Sequence, residues 1–114
     1  MTMQPLNWTT VCDLDDIAPN TGVCALFDEQ QVAIFRIGKT EQVYAIDNVD
    51  PFGKASVLSR GLIGDCDGDI VVASPLYKQQ FKLKNGQCIE DESVKLKTFA
   101  IRAHRGQIQL GLPH

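Results

Sequence analysis

The 114-residue chain has only two histidines, four widely spaced cysteines and no apolar run approaching the ~20 residues of a membrane span. The cysteines stand at 12, 24, 66 and 88 with no C-x-x-C pair among them. Zinc knuckles and fingers need thiolates spaced closely enough for one turn to present two of them to one ion, so that class is excluded. Met1–Leu6 carries neither a basic n-region nor an apolar h-region. The chain therefore reads as cytoplasmic, with reduced thiols that behave as small hydrophobes in or near the core. A net charge of −3 gives no cationic footprint for nucleic acid or an anionic membrane. No Gly-rich phosphate loop is present, and no segment sustains a helical period for three turns.

What is present is strand and turn. Turn signals recur about every ten residues, among them Asn20-Thr21-Gly22, Gly38-Lys39-Thr40, Asp67-Gly68, Asn85-Gly86 and Arg105-Gly106. Between them, 23–27, 31–37, 43–46, 70–73, 80–84, 99–103 and 107–110 have strand character. Gln31–Ile37 is apolar on both faces, as a central strand is, whereas Gln80–Lys84 alternates cleanly. Asn85-Gly86 predicts a type I′ hairpin turn and Arg105-Gly106 a second hairpin. Short antiparallel strands and hairpins at this spacing predict a single all-β domain over 1–114. Its core covers about 7–110, with mobile tails at Met1–Gln4 and Leu112–His114.

Candidate chemistry is sparse. Asp65-Cys66-Asp67-Gly68-Asp69 has alternating acids, but an EF-hand loop needs Gly at its sixth position and Glu at its twelfth, and Ile70 and Leu76 stand there. It reads as an exposed turn. Asp13, Asp15 and Asp16 read as a solvated turn rather than a catalytic carboxylate pair. His104 sits on the polar side of a hairpin, and nothing pairs Cys88 with a base. No catalytic residue and no metal ligand is expected.

Two proline loops stand out. Asn48-Val49-Asp50-Pro51-Phe52-Gly53-Lys54 precedes Val57–Gly61, and Ser74-Pro75-Leu76-Tyr77-Lys78 leads into Gln79–Leu83. Pro51 and Pro75 each hold a strand-free bend. Packed together, the loops would form a tip whose Phe52 and Tyr77 either meet another protein or plug the tip's own small core.

Both loops resemble those of Rieske domains, in which two Cys and two His hold a two-iron, two-sulfur cluster. Pro75, Phe81 and Leu83 match the second loop's C-P-x-H-G-W-x-F-x-L form. Asp50-Pro51-Phe52-Gly53 with Leu58 and Gly61 is similar to the first, C-P-H-x-G, with the glycine one place early and the leucine one place late. The positions of the four ligands hold Asp50, Phe52, Ser74 and Tyr77. The runs Asp13–Ile17, Thr21–Leu26, Ser56–Ile63 and Val72–Leu76 further resemble the small-subunit family of bacterial NADH-dependent assimilatory nitrite reductases, over about residues 7–110.

That resemblance implies a Rieske-like sandwich without a cofactor of its own. It also implies a large-subunit partner carrying FAD, an iron–sulfur cluster and sirohaem, which reduces nitrite to ammonium with NADH. Phe52, Lys54, Tyr77 and Lys78 at the tip become the candidate partner-binding residues. Two other functions compete: a Rieske-type ferredoxin with non-standard ligands, and a free-standing binding or regulatory module on the same fold.

Overall fold

Strand β3 (Gln30–Arg36) organises the computed structural model, which describes residues 6–76 and 78–113. Its side chains alternate between two cores, as the double-sided apolar pattern requires. Ala33 and Phe35 enter one core with Ile46, Leu58, Val72, Phe81 and Leu83. Val32 and Ile34 enter the other with Leu14, Ile17, Phe27, Ile108 and Leu110. Strands β2 (Thr21–Phe27) and β4 (Val43–Asp47) flank β3, giving the antiparallel order β2-β3-β4.

On one side of this sheet lie β1 (Leu6–Asp13), β10 (Ala100–His104) and β11 (Gln107–Pro113), ordered β1-β11-β10. On the other lie β7 (Leu62–Cys66), β8 (Asp69–Ala73) and β9 (Gln80–Lys82), ordered β7-β8-β9. The small ribbon of β5 (Val49–Asp50) and β6 (Ala55–Ser56) precedes β7. Residues 48–99 thus form an insertion between β4 and β10. Its two ends are held together where the Asp47 N–H donates to the Lys97 carbonyl (2.9 Å) and the Phe99 N–H to that of Ala45 (3.0 Å). The result is the all-β sandwich of short antiparallel strands that the sequence predicts.

Several local expectations need correction. β1 has no clear strand signal, because its alternation is polar on the outer side; pairing with β11 supplies its order. β11 continues to Pro113, opposite Leu6, where the sequence predicts a free tail from Leu112. Met1–Gln4 and His114 lie outside the described residues. Asn85-Gly86 is not a two-residue type I′ turn, which needs φ > 0 at both central residues. Only Gly86 is left-handed there (φ 78°), and the chain turns over Leu83–Gly86, with the Gly86 N–H donating to the Lys82 carbonyl (2.8 Å). Arg105-Gly106 does form the tight turn, with φ of 52° and 78°.

Arg36 is a buried cation (8% exposed) that joins three segments. Its Nη1 donates to the carbonyls of Leu14 and Ile17 (3.2 and 3.0 Å), and its Nε donates to that of Thr40 (3.1 Å). The Leu14 and Ile17 carbonyls bracket the 3-10 turn Leu14–Asp16, the only helical trace of the Asp13–Ile17 segment.

Gly61 shows how tightly the insertion is packed. A Cβ there would strike the Ala73 carbonyl and lie 2.6 Å from Val72 Cγ2, whereas one at Gly106 would meet nothing within 4 Å. Gly61→Ala is expected to lower stability by about 2–4 kcal/mol through forced backbone movement. Gly106→Ala should cost only about 1 kcal/mol, the left-handed penalty of its φ. Urea unfolding of both variants measures the difference.

Candidate functional site: two clasped proline loops

The two loops fold alike. In Asp50-Pro51-Phe52-Gly53-Lys54 the Lys54 N–H donates to the Asp50 carbonyl (2.7 Å); in the loop starting at Ser74 the Lys78 N–H donates to the Ser74 carbonyl (3.0 Å). Each loop therefore closes over five residues. Each first side chain caps its own turn: Asp50 Oδ1 accepts from the Phe52 and Gly53 N–H groups (2.8 and 3.3 Å), and Ser74 Oγ accepts from the Leu76 N–H (3.3 Å). Aspartate and serine suit this position because a short side-chain oxygen reaches the amide two residues on. Both closing lysines are left-handed, with φ of 54° at Lys54 and 63° at Lys78.

The loops meet at their first residues. Ser74 Oγ donates a short hydrogen bond to Asp50 Oδ2. Both residues are buried (0% and 1% exposed), so the bond forms where water cannot compete. Asn48 anchors the pair to the central sheet. Its Oδ1 accepts from the Ser59 N–H (2.7 Å), its N–H donates to the Gln31 carbonyl (3.2 Å), and its Nδ2 reaches Gln31 Oε1 (3.2 Å).

The sequence-predicted residues fare differently. Phe52 has one face on Phe81, with ring centroids 6.3 Å apart, yet remains 37% exposed. It both plugs and presents. Lys54 and Lys78 are exposed. Tyr77 lies outside the described residues. Sequence reasoning missed Asn48, which looks like any loop polar, and the surroundings of the tip. Arg60 and Lys78 flank a depression of about 400 Å3 that includes Leu62, Ser74 and Pro75. Leu62 (80% exposed) and Leu76 (44%) are further exposed apolar side chains. Among the described residues no carboxylate pairs with Lys54, Arg60 or Lys78. The repeat x-Pro-x-x-Lys, 24 residues apart, was the available signal for the paired loops.

These residues do not fit a two-iron, two-sulfur cluster. Phe52 offers no donor atom, and Asp50 and Ser74 commit their oxygens to each other and to loop amides. The cysteines stand elsewhere: Cys12 on β1, Cys24 on β2, Cys66 on β7, and Cys88 buried with its thiol pushed above its ordinary range by desolvation. Among the described residues no group of three or more His, Cys, Asp or Glu side chains is placed to hold a metal ion. Nor is any helix long and apolar enough to cross a membrane.

The clasp is expected to show in a double-mutant cycle. Asp50→Ala should destabilise by about 2–3 kcal/mol and Ser74→Ala by about 1–2 kcal/mol, because each leaves a buried partner unsatisfied. The double variant should fall short of the sum by at least about 1 kcal/mol, read from chemical denaturation.

Comparison with known proteins gives the family. The family model described as a Rieske-like [2Fe-2S] domain matches residues 7–111. The small subunit of nitrite reductase (NADH) from Escherichia coli K12 is 52% identical over 103 residues, covering 90% of this chain and 95% of that protein. The nitrite reductase [NAD(P)H] large subunit of Klebsiella oxytoca is 40% identical over 104 residues, which are 91% of this chain but 11% of that protein. The solution structure of the Escherichia coli protein NirD, 50% identical, superposes with a TM-score of 0.88 over 95% of this chain and 98% of that one. The chain belongs to the Rieske-like [2Fe-2S] domain family and, within it, to the small subunits of NADH-dependent nitrite reductase.

Proposed function

We propose that this chain is a cofactor-free accessory subunit of a cytoplasmic, NADH-dependent nitrite reductase that supports assimilatory reduction of nitrite to ammonium. It does so by docking its clasped tip on the large subunit, which carries the sirohaem and FAD. The observation that carries the reading is the Asp50–Ser74 hydrogen bond, which joins the two loops that resemble those of Rieske domains. A loop pair whose polar atoms are used internally has shape and charge to offer, and no electron relay. The Klebsiella oxytoca protein lends support to the choice of partner, since there the equivalent of this chain is 11% of one longer large-subunit polypeptide. A domain joined covalently to its partner in one protein is expected to meet it through a surface in another.

The two lysines argue for the tip as that surface. A left-handed L-residue costs about 1–2 kcal/mol that glycine does not. Lysine at both loop closures puts an exposed cation on each loop where glycine would sit without strain. Arg60 and Lys78 flank the depression that holds Leu62, and Phe52 and Leu76 are exposed on the two loops, which supplies the apolar and cationic surface of an interface.

Lys54→Gly with Lys78→Gly removes both charges while relaxing both turns. The double variant should melt no lower than the parent, yet bind the large subunit on the order of tenfold more weakly, with a shallower salt dependence. Unchanged affinity would discard the tip. Iron analysis and an absorption spectrum of anaerobically purified protein test the other half: a colourless protein is expected, and one cluster per chain would establish the electron-carrier reading instead.

A further inference from the structure

β1 and β2 are both edge strands, and residues of both line a groove of about 630 Å3. The hydrogen-bond parity of β2 can be worked out. The Asn48 N–H donates to the Gln31 carbonyl (3.2 Å) and the Ile37 N–H to that of Gln42 (3.0 Å), so odd-numbered positions along β3 bond toward β4. Antiparallel alternation then turns Gln30, Val32, Ile34 and Arg36 toward β2, opposite Phe27, Ala25, Val23 and Thr21. Gly22, Cys24 and Leu26 are left directing their N–H and C=O groups outward. Gly22 is covered, because a Cβ there would lie 2.7 Å from the Ser59 carbonyl. Cys24 and Leu26 are not: both are exposed, Leu26 by 75%, and both line the groove.

An exposed apolar side chain beside unpaired strand amides is the recognition surface of strand addition. The groove's charge says what kind of strand. Asp16 and Asp28 line it, and no Lys, Arg or His does. The Cys12 thiol in its wall is raised above its ordinary range by burial and by the neighbouring carboxylates of Asp16 and Asp13. Two copies of the chain joined edge to edge would bring these carboxylates together, so the charge disfavours a second copy.

We propose that the groove receives an extended, basic segment of the large subunit as an added strand on β2. This rests on the partner proposed above but not on the tip. The occupant pairs with the outward amides of Cys24 and Leu26, covers the Leu26 side chain and places Lys or Arg against Asp16 and Asp28.

The test uses the full chain, alone and co-purified with the large subunit. Timed alkylation by N-ethylmaleimide, followed by mass spectrometry, reads Cys24 against Cys66, which lies on a different sheet. Cys24 should react at least about tenfold more slowly in the complex while Cys66 keeps its rate, and Leu26→Arg should weaken binding by about tenfold. The chain alone should elute as a monomer with Cys24 fully reactive. Equal slowing of both thiols, no slowing of Cys24, undiminished binding by Leu26→Arg, or self-association that protects Cys24 would overturn the groove alone. Failure to co-purify at all would overturn the partner as well.

Discussion

The tip depends on one hydrogen bond between two buried side chains. The Ser74 hydroxyl closes onto the Asp50 carboxylate across the gap between the loops. A buried carboxylate without a counter-cation needs several donors. Asp50 has the Ser74 hydroxyl and the amides of Phe52 and Gly53. Those amides in turn fix the loop that carries Phe52. One contact therefore satisfies a charge, shapes a turn and sets the distance between two loops.

The clasp has this authority because of where the insertion is rooted. Residues 48–99 leave the central sheet at Asp47 and return at Lys97, with the Asp47 N–H to Lys97 carbonyl bond closing the neck. Inside the insertion, β8 and β9 bury Val72 and Phe81 against Phe35 and Ile46 of the central sheet. Asn48 then ties the start of the first loop to β3 through Gln31, and to the Leu58–Arg60 turn through the Ser59 amide. A displacement at Asp50 meets a rigid base on both sides. This is how a surface feature made of two short loops can hold one shape.

Much of this was legible in the sequence, for physical reasons that also mark the limits. β3 was legible because a strand buried on both faces must be apolar at every position. The two loops were legible because proline fixes a bend and Asp or Ser before it caps the turn. β1 was not, since half of its order comes from pairing with β11 near the other end of the chain, information that no local window holds. Asn85-Gly86 misled because its dipeptide preference for a two-residue turn yielded to packing: Leu83 is buried in the core, which draws the strand end inward and lengthens the turn. Arg60 was missed because it stands between the two loops in the sequence and flanks the same depression as Lys78 only in the folded chain. Phe52 was left open between plug and contact, and its ring lies part on Phe81 and part in solvent.

A net charge of −3 conceals a polar distribution. Over 48–62 and 74–80 the only carboxylate is Asp50, which is buried, while Lys54, Arg60 and Lys78 are exposed; the β1/β2 groove is lined by Asp16 and Asp28 with no cation. The molecule measures about 35 × 32 × 28 Å. At physiological salt the Debye length is about 8 Å, so patches separated by a large part of that span would be felt independently by a partner. A uniformly acidic domain would give a docking partner no orientation, whereas patches of opposite sign favour one approach and repel its reverse. Loss of an electron-carrying centre would leave such a domain with orientation as its remaining specificity. The clasp and the two left-handed lysines keep that orientation sharp, because the cations project from turns that the buried hydrogen bond does not let move.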